Sequence, residues 1–246
     1  MSRNCTYQII SSLGEHKKHF CKFHMTGSLC RAGIKKFADI QRKSKNLKKL
    51  DMSRCELSQR AFFELIPVIL KTEHVILQGN LVSPIDLKIL STQIHEAKGY
   101  LCLKTLDMSS SNLTDVSLQQ ISKLVFLIEN ADFQNSSFGP EGMDMLIKCF
   151  HKFEGGVLKS LNLRMCKLTD RCLEILSELI PHLSSVILSS NNFSGSSGVR
   201  LLVQMINQKE EKQLQHLDLR YSRVTQDMKK AISEVCRKEK IDLKIW

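Results

Sequence analysis

One pattern of apolar and polar positions, L-x-x-L-x-L-x-x-(N/C/S)-x-L, recurs along most of the chain. Its copies are FCKFHMTGSLC (Phe20 to Cys30), LKKLDMSRCEL (Leu47 to Leu57), TEHVILQGNLV (Thr72 to Val82) and LKTLDMSSSNL (Leu103 to Leu113). They continue as IENADFQNSSF (Ile128 to Phe138), LKSLNLRMCKL (Leu158 to Leu168), LSSVILSSNNF (Leu183 to Phe193) and LQHLDLRYSRV (Leu214 to Val224). The second apolar position of each copy falls at Phe23, Leu50, Val75, Leu106, Ala131, Leu161, Val186 and Leu217, so the spacings run 27, 25, 31, 25, 30, 25 and 31. Past the first copy, short and long units alternate, and the true period is a pair of units. Inside each unit the x-L-x-L-x alternation predicts a short half-buried strand. The residues that follow carry apolar positions at helical spacing, as in Leu173, Leu176, Leu179 and Ile180, and predict a helix. Strand then helix, repeated, predicts a stacked right-handed solenoid.

This repeat accounts for a stretch that otherwise reads as a thiol or metal site. CKLTDRCLEIL (Cys166 to Leu176) has two cysteines six apart, but CELSQRAFFEL (Cys55 to Leu65) keeps the outline and puts Ala61 in the second cysteine's place. Position nine of the pattern lies where the chain turns, and a small polar side chain there can bond backbone that is otherwise buried unsatisfied. Cys55 and Cys166 are therefore expected to be structural and Cys172 a small buried residue. Gly142 and Gly198 are expected to permit close backbone approach or left-handed geometry at helix starts.

The alternation of CKLTDRCLEILSELI with NNFSGSSGVRLLVQMI and SSFGPEGMDMLIKCF resembles the ribonuclease-inhibitor-like class of leucine-rich repeats, found also in the C-terminal domains of NLR immune receptors. The resemblance covers residues 20 to 246. It implies an α/β horseshoe with parallel strands on the concave face, helices on the convex face, and a protein partner as ligand. Here the short units lose about three residues and the long ones gain about two or three relative to the family's near-equal units, which implies irregular curvature. The domain reading is a half-repeat or cap helix over 1–19, eight repeats over 20–227, and a C-terminal cap helix and strand over 228–246. Ile9 and Ile10 are expected in the first helix. Met228, Ile232, Val235 and Cys236 are expected on one side of the last, before a strand with Ile241, Leu243 and Ile245.

Of 246 residues, 42% are hydrophobic, enough for a continuous core, and no window reaches the length of a membrane span. Nine cysteines without a CxxC pair argue against a disulfide framework and for reduced thiols in cytosol or nucleus. Four N-x-S/T sequons, at Asn4, Asn112, Asn135 and Asn192, point the other way. Residues 1–50 hold 12 Lys and Arg against 2 Asp and Glu, whereas residues 51–220 hold 17 against 19. The basic end, with Lys35, Lys36, Arg42, Lys43 and Lys45, keeps open an alternative of binding to nucleic acid or an anionic surface. A GTPase activator built on similar repeats is a further alternative, although the long acidic tail of such proteins is missing.

Chemistry finds little support. The group His16, His19, Cys21, His24 and Cys30 has side chains that diverge in the repeat frame, so no metal and no cofactor are expected. No catalytic signature of the HExxH, GxSxG or phosphate-loop kind occurs, and an enzyme is not expected. The side chains between the core leucines instead form rows across the strand face, with neighbours about 4.8 Å apart. Asp107, Asp132, Asn162, Ile187 and Asp218 lie in the central row. Arg164 and Arg220 follow in the next, Met165 and Tyr221 one step beyond, and His216 lies beside them. These ten residues are the candidate partner-binding set, with Arg220 and Tyr221 expected to face solvent.

Overall fold

A computed structural model of the chain describes residues 9–10, 22–23, 34–35, 38–39, 47–96, 101–153, 156–195, 197–208 and 213–246. Most of the first repeat lies outside these residues. So do His16, His19, Cys21, His24 and Cys30, the sequon at Asn4, and Lys36, Arg42, Lys43 and Lys45. The chain divides into two compact units, Met1–Ser111 and Asn112–Trp246.

The first unit opens with β1 (Ile9–Ile10) and β2 (Lys22–Phe23), which pair antiparallel. That differs from the sequence expectation at both places: Ile9 and Ile10 are strand rather than helix, and Phe23 does not join a parallel ladder with its pairing partner. The regular pattern begins with β3 (Leu47–Asp51), α1 (Gln59–Leu70), β4 (Thr72–Ile76), α2 (Pro84–Glu96) and β5 (Thr105–Asp107), the three strands pairing in parallel. The second unit continues with α3 (Asp115–Val125), β6 (Asn130–Asp132), α4 (Pro140–Lys152), β7 (Ser160–Asn162) and α5 (Asp170–Leu176). A 3-10 turn at Ile180–His182 leads to β8 (Ser185–Ile187), then α6 (Ser197–Gln208), β9 (His216–Asp218), α7 (Gln226–Lys238) and β10 (Asp242–Lys244). Strands β6 to β10 pair in parallel in chain order. Both units are thus leucine-rich-repeat solenoids of strand, turn and helix. The pattern's apolar positions form their cores: Leu50, Leu77 and Leu106 in the first, Leu161, Leu188 and Leu217 in the second, all essentially without solvent exposure.

The turns after the strands obey two rules. Position eight is left-handed in every described repeat: Arg54, Gly79, Ser110, Asn135, Met165, Ser190 and Tyr221 have φ between 52° and 69°. Position ten is left-handed only in alternate repeats, at Glu56, Asn112, Lys167 and Arg223. The two-unit period of the sequence is therefore a period in backbone conformation. At Glu56 and Lys167 the left-handed position ten coincides with an asparagine at position nine of the next repeat. Asn80 Oδ1 accepts from the N–H groups of Cys55 (3.1 Å) and Leu57 (3.2 Å), while its Nδ2 donates to the carbonyls of Met52 and Leu77 (2.8 Å each). Asn191 repeats the arrangement, accepting from Cys166 and Leu168 (3.0 Å each) and donating to Leu163 (2.9 Å) and Leu188 (2.8 Å). Each asparagine clasps the two N–H groups that flank a left-handed residue in the preceding repeat. Those preceding repeats carry cysteine at position nine, and the Cys166 thiol donates to Phe133 O (3.2 Å). Ser222 likewise donates to Leu188 O (3.1 Å), whereas Ser136 Oγ is buried with no partner among the described residues.

The helices interlock with the same period. A side chain at Gly142 would bring its Cβ to 2.4 Å from Asp115 Oδ1, and one at Gly198 to 2.8 Å from the Asp170 carbonyl. Neither glycine has positive φ, so close approach is the reason for both. Cys55, Cys166 and Cys172 are fully buried, and burial pushes the Cys166 thiol up to about 12, with the Asp132 charge adding to the effect. Such a thiol stays protonated and unreactive.

Replacing Asn191 by Ala leaves two buried N–H groups and two carbonyls without their partner, so the loss of stability should be about 3 kcal/mol or more. Urea unfolding of the purified chain measures it. A loss near that of an ordinary surface substitution, about 0.5 kcal/mol, would show that the clasp contributes nothing.

Candidate functional site

The strand face of the second unit carries the central row as cross-strand neighbours: Asp132 is in register with Asn162, Asn162 with Ile187, and Ile187 with Asp218. These polar side chains are tied into the fold. Asp132 Oδ1 accepts from Gln134 N (2.9 Å), Asn162 Oδ1 from Arg164 N (3.0 Å) and Asp218 Oδ1 from Arg220 N (3.0 Å). Each closes its own turn by bonding the amide two residues on. Asn162 Nδ2 also donates to Asp132 Oδ2 across the strands (2.8 Å). In the first unit, Asp107 closes its turn through Ser109 N in the same way (2.8 Å). Ile187 is half-buried between polar neighbours. His216 meets Asp242 on the adjoining strand (Nδ1 to Oδ2, 2.9 Å).

Arg220 requires a correction. Its guanidinium binds the Asp218 carboxylate through two bonds, Nε to Oδ1 (2.9 Å) and a terminal nitrogen to Oδ2 (2.7 Å), and lies 5.1 Å from the Trp246 ring centroid. The Asp218 side chain is 3% exposed and that of Arg220 30%. A bidentate pair with one buried partner is a structural element, so replacing Arg220 does not leave folding intact. Tyr221 is 64% exposed as expected, and its ring meets Trp246 edge to face at 6.4 Å. Met165 and Arg164 are also exposed. Trp246, the sole tryptophan, is absent from the sequence-derived set because it follows the last predicted strand and belongs to no repeat position.

Beyond the strands the surface turns at the left-handed residues, where an open groove of about 640 Å³ is lined by Met165, Lys167, Ser190, Asn192, Tyr221 and Arg223 among others. Lys167 and Arg223 were missed as well. The signal was present: both occupy position ten of alternate repeats, where the left-handed backbone turns the side chain outward. Of the candidate residues, the structure brings Met165 and Tyr221 together on this groove and Asp132 with Asn162 on the strand face. Asp218 and Arg220 pair with each other, and Arg220 also meets Trp246.

Burial pushes the Asp218 carboxyl up, but the hydrogen bonds from the Arg220 guanidinium and backbone, with the charge of Arg220, outweigh it and hold the group below the usual carboxylate range. A depressed folded value means that the carboxylate contributes stability above the ordinary range, lost as pH falls through the folded value. Arg220→Gln removes the guanidinium bonds and charge, and leaves burial opposed chiefly by the backbone bond. It should lower stability at neutral pH and start the acid loss of stability at higher pH than in the parent. Denaturation midpoints followed down a pH series test this, and parallel profiles for the two proteins would contradict it.

A leucine-rich-repeat family model matches residues 101–122. The mouse (Mus musculus) protein named NACHT, LRR and PYD domains-containing protein 5 is 26% identical over an alignment of 205 residues that covers 78% of this chain. The matched segment spans 17% of that relative's length. No helix among the described residues is long and apolar enough to cross a membrane. With the repeats, the fold of both units and these two likenesses in agreement, the chain is a leucine-rich-repeat protein whose repeats are similar to those of the NLR type.

Proposed function

We propose that the chain is a non-enzymatic scaffold that binds a protein partner through the strand side and turn edge of its second unit. The observation that carries this reading is the placing of exposed apolar side chains. Met165 (43% exposed), Tyr221 and Trp246 (61% exposed) are large, and large apolar and aromatic groups beside arginine are the composition of interface cores. Met165 and Tyr221 stand on turns of the repeat lattice, so little ordering is needed there on binding. The relative carries leucine-rich repeats by name, which agrees with a binding role for the corresponding part here. The proposal includes a cytoplasmic setting, which the buried thiols of Cys166 and Cys172, neither in a disulfide, fit.

The reading is tested by placing a photo-crosslinking residue at Arg164, on the turn side, or at Lys230, an exposed position of α7. In cell extract, protein adducts should form from position 164 and not from position 230. Adducts that contain nucleic acid, or that form from the helix position as strongly as from the turn, would overturn it and favour the basic-end alternative.

A further inference from the structure

The turn-edge groove has a composition that selects a partner chemistry. On the proposed binding reading, we infer that it receives an extended acidic segment of a protein partner, with an apolar or aromatic side chain between its carboxylates. Two observations carry this inference independently.

The first is charge. Among the groove's lining residues, Lys167 and Arg223 are cationic and none is acidic. Both are exposed, and neither forms an ion pair among the described residues. The contrast with Arg220 is direct, since its charge is taken up by Asp218. Lys167 and Arg223 belong to the turns after β7 and β9, with one strand between, so their backbones lie about 10 Å apart. An extended chain advances about 3.3 Å per residue, and two carboxylates about three residues apart reach both cations. Met165 and Tyr221 line the same groove and supply apolar surface for a side chain between those carboxylates.

The second is backbone conformation. Met165 and Tyr221 both have φ of 56°, a conformation that favours glycine and asparagine. The same turn position in other repeats is filled by Gly79 and Asn135, so the fold itself does not require a bulky residue there. Nor is either side chain buried in the core, because both are exposed. Bulky apolar groups in an unfavourable conformation, on the surface and beside unpaired cations, point to use by a ligand rather than to packing.

Fluorescence anisotropy with the full chain tests the inference. The probes are a short labelled peptide of glutamates around one phenylalanine, the same peptide with lysine for glutamate, one with serine for phenylalanine, and labelled single-stranded oligothymidine. The acidic peptide should bind. The lysine version should not, and the serine version should be about tenfold weaker. The double variant Lys167→Glu/Arg223→Glu should abolish acidic-peptide binding. Met165→Gly should weaken it about tenfold while the melting temperature stays the same or rises, since glycine relieves the left-handed cost. Binding of the acidic peptide that ignores the charge reversal, a fall in melting temperature for Met165→Gly, or oligothymidine binding as tight as the peptide's would each overturn the assignment. If no peptide binds while adducts still form at position 164, the groove assignment fails and the scaffold reading stands.

Discussion

A parallel stack of short strands leaves its turns with a problem that the strands themselves do not have. Every repeat must reverse direction within a few residues, and the backbone groups at that bend are buried under the next repeat, where an unpaired N–H or carbonyl costs about 1–3 kcal/mol. The bonds made by Asn80 and Asn191 resolve it. Each amide satisfies two donors and two acceptors across two consecutive repeats. Position nine then tolerates only small polar residues or cysteine, and the thiol of Cys166 serves as a weak donor to buried carbonyls. Cys166, which beside Cys172 looks like chemistry in the sequence, is a hydrogen-bonding residue whose thiol burial holds protonated.

The same constraint shapes the surface. To place position nine inward, the residue before it must turn left-handed, and in the repeats of Cys55, Ser111, Cys166 and Ser222 the residue after it does too. These residues stand outward as a row along the turn edge, held by core positions on either side. The identities at that row are therefore free to serve binding. In the second unit they include Met165, Lys167, Tyr221 and Arg223. The strand face is less free, because Asp132, Asn162 and Asp218 use an oxygen each to close the turn that follows.

Much of the fold was legible because its causes are local and repeated. The leucine alternation reports which side of each strand is buried, and the lengths of 25 and 30 or 31 residues report the two-unit period seen in the turns. Gly142 and Gly198 were readable as sites of close approach, though the carboxylate and carbonyl that crowd them come from the preceding helix and were not. The site was less legible. Sequence spacing places Arg220 on the surface but does not show that Asp218, two residues earlier, lies in reach of both ends of its guanidinium. Trp246 lies outside the periodic frame, and its contact with Arg220 and Tyr221 depends on β10 pairing with β9. At the start of the chain, the antiparallel pair of Ile9–Ile10 with Lys22–Phe23 departs from the repeat, and no periodic argument predicts it.

The claim that the asparagine clasp holds the turns is tested most directly by amide hydrogen exchange resolved at single residues in the unaltered chain. Cys166 and Leu168 lie in a turn, outside any strand or helix, yet their N–H groups are bonded by a buried side chain. They should exchange as slowly as the paired amides of β7 and β8 and respond to denaturant together with them. Exchange of these two amides at the rate of an open surface turn, while the strands stay protected, would contradict the account.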